Sequence, residues 1–255
     1  MTADFTPAGY RTMLESFLER GYRVCGFAGA DPNRKHLILR HDLDMSIQAA
    51  LPIAEIERDL GLGATYFVMV RSEMYNPFSH RALTALEQLV NLGHEIGLHF
   101  DAALYPEGVD SLDEAAELEC IALETFTGHK VQILSFHRPG VHLQSLDRLV
   151  AGRRHAYEPR FFASMGYCSD SQGSWRNGNP VDHPVVVEGR GLQLLTHPIW
   201  WHATPDESVR EKLDRFSLTR FDLLRAELAR NCKSYPQEFQ VLDSESEKIR
   251  ESPNH

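Results

Sequence analysis

HLILRHDLDMSIQAALPIAEIERDLGLGATYFVMV, residues 36–70, carries the pattern from which the architecture follows. HLILRHDLD (36–44) is extended, SIQAALPIAEIERDLG (46–61) places apolar side chains at helical spacing, and ATYFVMV (64–70) is extended again. Two strands joined by a helix of that length imply a right-handed crossover and a parallel pair. ATYFVMV lacks the alternation of a half-solvated strand, which fits a sheet covered on both faces.

The same alternation runs outward in both directions. Upstream, Tyr10, Met13, Leu14, Phe17 and Leu18 form a helical stripe stopped by Gly21, followed by a short extended piece at 23–27. Downstream, helices over 78–93 and 111–128 alternate with strands HEIGLHF (94–100) and QILSF (132–136). YCSD (167–170), PVVVEG (184–189) and LQLLTH (192–197) read as further strands, and 206–231 as a closing helix. The stretches 150–165 and 172–183 read as long connections. The expectation is an α/β fold with mostly parallel strands, one domain over 1–232 and a polar, flexible tail at 233–255.

With 255 residues the chain is long enough for one α/β barrel. Its 26 basic and 36 acidic side chains give a net charge of −10, which argues against a nucleic-acid partner, because phosphate binding needs clustered Lys and Arg. No apolar run reaches the roughly 18 residues of a membrane helix. The N-terminal stretch lacks a signal-peptide pattern, and four widely spaced cysteines without a C-x-x-C pair fit reduced thiols. The expected location is the cytoplasm.

In parallel α/β folds the reacting groups gather at the carboxyl ends of strands. Here those ends carry Asp42 and Asp44, His99 and Asp101, His137 and Arg138, Asp170, and His197. Asp42 and Asp44 at i, i+2 share a strand face, as do His99 and Asp101. Several carboxylates and imidazoles converging on one mouth need a divalent cation to hold them, and Asp/His is a ligand set for zinc or a similar metal. Helix capping is the competing reading for the two aspartates. HEIGLH is not a helical metalloprotease motif: His94 and His99 are i, i+5, about 140° apart on a helix, and on a strand they face opposite ways. His99 at the strand's end is the candidate ligand; His94 reads as structural. His36, His80, His129, His155 and His255 read as exposed.

RHDLD (40–44), GHEIGLHFD (93–101), SFHRPG (135–140), SDSQGSWR (169–176) and LLTHPIWW (194–201), in that order, resemble the successive motifs of the polysaccharide deacetylases, carbohydrate esterase family 4. The resemblance covers roughly residues 36–202. It implies an irregular (β/α) barrel in which a metal held by Asp-His-His activates water to remove acetyl groups from sugars.

Carried over by position, the resemblance makes Asp42 the catalytic base, Asp44 and His99 metal ligands, Arg138 the residue that orients the base, His197 the general acid, and Asp170 its orienting carboxylate. Trp175 becomes a pocket wall. The family's second ligand histidine, four residues after the first, is here Ala103, so His137 supplies the third ligand, with Asp101 as the alternative. The Asp-x-Asp spacing leaves the base and ligand roles of Asp42 and Asp44 open to exchange. Trp200 and Trp201 could stack on a sugar or pack against the rim.

The expected activity is that of a metal-dependent hydrolase acting on an acylated sugar or polysaccharide precursor, with zinc as the metal and iron, cobalt, nickel or manganese as alternatives. Two rival readings keep the fold: an amidohydrolase of a non-sugar amide or cyclic imide, and a barrel without catalysis that serves as a scaffold.

Overall fold

The computed structural model describes residues 5–105, 109–176, 178–201 and 207–235. The chain divides into two compact units, Met1–Asp206 and Glu207–His255.

The first unit is built on one parallel sheet. Its strands are β1 (Arg23–Val24), β2 (His36–Leu43), β3 (Thr65–Val68), β4 (Glu95–Phe100), β5 (Ile133–Phe136), β6 (Arg154–His155), β7 (Gly166–Ser169) and β8 (Leu192–Thr196). They lie in the order β6-β5-β4-β3-β2-β8-β7, with β1 beside the start of β2, and every pairing is parallel. The sheet curls into a half-barrel and stays open between β6 and β7. The curl is visible in side-chain reach. In a flat sheet β2 and β5 would stand about 14 Å apart, three strand spacings. Yet Arg40 of β2 hydrogen-bonds Ser135 of β5 and Tyr157 just beyond β6.

Helices Leu51–Asp59, His80–Asn91 and Val109–Thr127 fill the crossovers between β2 and β5. The leading helix, Pro7–Glu19, begins with Thr6 accepting the Gly9 N–H at 3.1 Å and with proline in its first turn, then buries Tyr10, Met13, Leu14 and Phe17. Gly97 in β4 makes the inner face possible: a Cβ there would lie 2.6 Å from the Phe67 ring. That ring in turn lies 5.7 Å from the Arg40 guanidinium.

Three sequence expectations are corrected. PVVV at 184–187 is a helix, Pro184–Val187, despite its β-branched run, because proline opens it and the His183 ring accepts the Val185 N–H. The 150–165 connection contains β6 and a short helix, Pro159–Phe162. His155, in β6, and His36, in β2, are buried, contrary to the expected exposure. All four cysteines are free thiols, and burial pushes Cys120 and Cys168 up to about 12. Among the described residues no helix is long and apolar enough to cross a membrane.

The second unit is described by helix Val209–Asn231. A capping box opens it: Ser208 Oγ accepts the Glu211 N–H, and the Glu211 carboxylate accepts the Ser208 N–H.

Candidate metal centre

Strand alternation puts Arg40 and Asp42 on the inner face of β2 and His41 on the outer. Both Asp42 oxygens are held by Arg40, with Nε at 3.0 Å and Nη2 at 2.7 Å. The guanidinium is fully buried and also donates to Gln193 Oε1 at 3.2 Å, Tyr157 Oη at 3.1 Å and Ser135 Oγ. A buried ion pair repays its desolvation only when its remaining donors are satisfied in this way. Burial alone would raise the Asp42 pKa, but Arg40, and next His99, hold it below the ordinary carboxylate value.

One residue beyond β2, Asp44 meets the ends of β4 and β5. Its Oδ1 lies 3.0 Å from His99 Nε2 and 3.5 Å from His137 Nδ1, and the two ring nitrogens are 3.3 Å apart. Four ligands at the zinc distances of about 2.0–2.1 Å stand about 3.3 Å from one another in a tetrahedron. The triangle therefore has the edge lengths of a tetrahedral face. Asp44 Oδ1 is buried without a partner in hydrogen-bonding geometry among the described residues, as is the far nitrogen of His99, Nδ1. Three lone-pair donors converging on one point, one of them an orphaned carboxylate oxygen, fit a divalent cation. Burial raises the Asp44 pKa, yet His137 and His99 outweigh it and keep the carboxyl well below its ordinary value. Among the described residues this is the only such group of metal-ligating side chains.

His197 follows β8, the neighbour of β2. Asp170 is fully buried and accepts the His197 backbone N–H at 2.9 and 3.0 Å, its Nδ1 at 2.6 Å, and the Trp201 indole N–H at 2.8 Å. Nδ1 thus carries the proton given to Asp170, and Nε2 faces Asp44 Oδ2 at 3.7 Å. Burial would lower the His197 pKa, but the bond to Asp170 and the carboxylate charges push it up to about 9.

The structure thus brings Asp42, Asp44, His99, His137, Asp170 and His197 together and sets other candidates apart. Arg138, expected to orient Asp42, instead donates to Asp101 Oδ2 at 2.9 Å, and Asp42 is held by Arg40. Asp101 is thereby committed to Arg138 and to the Ala103 N–H, and stands outside the triangle. Trp200 and Trp201 are only 5% and 3% exposed, so neither offers an open face to a sugar. Trp175 is half-buried and stacks on Phe5.

Sequence reading missed two features. Arg40 was legible at i−2 from Asp42 on the same strand face. The second is the outer face of β2, where Glu57 accepts from Tyr10 at 2.5 Å and Tyr66 at 2.6 Å and bonds His41 Nε2 at 2.7 Å. His41 Nδ1 reaches Thr196, the residue before His197. Burial would raise the Glu57 pKa, but His41 and the hydroxyls keep it low. Nothing in a helical stripe marks Glu57 as its buried member. His94 is structural: Nε2 bonds the Ala54 carbonyl and Nδ1 accepts the Ala64 N–H. A cavity of about 700 Å³ opens over Asp44 and His137, walled by Met69, Arg71, Met74 and Arg138.

No protein-family model matches the chain, and no curated protein does. Among solved structures, it is similar to a family 4 acetyl xylan esterase from Clostridium thermocellum in complex with a cobalt ion (14% identity, TM-score 0.40, 80% of this chain and 95% of that one). A peptidoglycan deacetylase from Bacillus subtilis matches with 15% identity and TM-score 0.43 over 80% of this chain and 100% of that one. A CE4 family pseudoenzyme from Bacillus anthracis matches with 15% identity and TM-score 0.42 over 74% of this chain, which spans 63% of that one.

Proposed function

We propose that the protein is a metal-dependent hydrolase that removes an acyl group, N-acetyl in the first instance, from a sugar or sugar precursor. The observation that carries this reading is the triangle of Asp44, His99 and His137, with the Asp42 carboxylate and the His197 imidazole beside it.

Asp44, His99 and His137 would hold the cation. When bound, a divalent cation supplies Lewis acidity, which acidifies water and polarises an acyl carbonyl. Asp42, ionised and fixed in orientation by Arg40, takes a proton from the attacking water. His197, steered by Asp170, gives a proton from Nε2 to the departing nitrogen or oxygen. Without that donor the leaving group would depart as a strongly basic anion. The differing environments of the two groups, one favouring the ionised and one the protonated form, support Asp42 as base and His197 as acid. Exchange of the Asp42 and Asp44 roles is disfavoured by geometry, since Asp44 Oδ1, and not Asp42, completes the triangle with His99 and His137.

The test is acyl release from N-acetylated sugars by protein loaded with zinc or cobalt, compared with Asp42→Asn. Stoichiometric metal in both proteins, with release only by the wild type, is the expected result. Failure to bind metal, or undiminished release by Asp42→Asn, overturns the reading.

A further inference from the structure

Arg138 pairs with Asp101 and not with Asp42, whose oxygens accept from Arg40, and its position is tightly specified. Its backbone lies at φ 46°, in the left-handed region, between His137 and Pro139. A residue other than glycine stays there only when its surroundings hold it. One guanidinium nitrogen donates to Asp101 Oδ2 at 2.9 Å. Asp101 is itself buried and anchored by the Ala103 N–H at 3.1 Å. The side chain of Arg138 is nevertheless 75% exposed, so the rest of its donor fork is open to the cavity whose wall also includes Asp44 and His137.

Arg71 lines the same cavity. Its guanidinium lies 4.9 Å from the centre of the Tyr105 ring, and the Tyr105 hydroxyl is bonded to Glu119, so the platform beneath Arg71 is fixed as well. Three carboxylates, Asp44, Glu73 and Asp101, line the cavity with these two guanidiniums, and Glu119 lies near Arg71 beside Tyr105. A divalent cation at the triangle offsets that negative charge. Planar guanidinium forks match carboxylate and phosphate oxygens with paired hydrogen bonds.

We propose that Arg138 and Arg71 bind an anionic group of the substrate, a carboxylate or a phosphate, so that the site selects acylated acidic sugars over neutral ones. This deepens the hydrolase reading and rests on it for the word substrate; the anion site itself is measured by binding. Equilibrium binding of N-acetylglucosamine, its 6-phosphate and an N-acetylhexosaminuronate is compared by calorimetry on zinc-supplemented wild type, Arg138→Met, Arg71→Met and the double variant. Thermal melts of each check folding; Arg71→Met leaves the Arg138–Asp101 pair intact.

The expected result is binding of at least one anionic sugar about tenfold or more tighter than the neutral one, lost in the double variant, as charge-assisted hydrogen bonds of ordinary strength require. Whichever anion shows the gain identifies carboxylate or phosphate as the group read. Equal binding of all three sugars overturns the proposal. So does a preference that survives the double variant and disappears in His99→Ala, which places the anion on the cation instead. Absence of acyl release with the preference intact would sink the hydrolase reading and leave the anion site standing.

Discussion

Arg40 holds Asp42, two residues further along the same strand, through two hydrogen bonds of 3.0 and 2.7 Å, with both side chains buried. The pair faces the barrel interior, shielded from bulk water. Arg40→Met strands a buried carboxylate, and a loss of about 3–5 kcal/mol of stability is expected. The double variant Arg40→Met with Asp42→Asn should recover much of that loss in urea melts while acyl release stays absent. Equal instability of the single and double variants would show that Arg40 acts through packing instead.

Metal content separates the ligands from the base. His99→Ala and His137→Ala each remove one corner of the triangle and should bring bound zinc well below stoichiometric, measured by elemental analysis after dialysis. Asp42→Asn should keep its metal and lose about 10²–10⁴-fold in turnover, the usual worth of a positioned acid or base. Full metal retention by His99→Ala would displace the centre from these residues.

Protonation of His197 is readable by NMR in the metal-free protein. With Asp170 beside it, the ring should titrate at about 9, and Asp170→Asn should bring it down toward the ordinary value of about 6.5. A raised native pKa means that the pair's stabilisation is complete below the unfolded value and is lost as pH rises through the folded one. An unchanged titration in Asp170→Asn would refute the assigned cause.

Acid should weaken the fold from the other side. Burial lowers the pKa of His36, His94 and His155. The unfolded chain therefore takes up protons first, and stability falls as pH drops below about 6.5 toward the native values. With the opposite trend from His197 above that point, the metal-free protein should melt at its highest temperature near pH 6.5. His94→Gln should flatten the acid limb of Tm against pH; a limb of unchanged slope would exclude His94 as a contributor.

Much of this protein was legible in one dimension. Periodicity set out strands and helices in alternation, since strand and helix register depend on neighbours within a few residues, and it located Asp42, Asp44, His99, His137 and His197 at strand ends. What depended on the curl of the sheet was not legible. Arg40 meets Ser135 and Tyr157, 95 and 117 residues away, because β2, β5 and β6 bend around one interior. The same curvature decides that His137, and not Asp101, stands beside His99 and Asp44. It buries Trp200 and Trp201 as well. Local sequence determined which groups end each strand; the tertiary structure alone decided which of them share a point in space, because that distance is set by curvature and packing across the sheet.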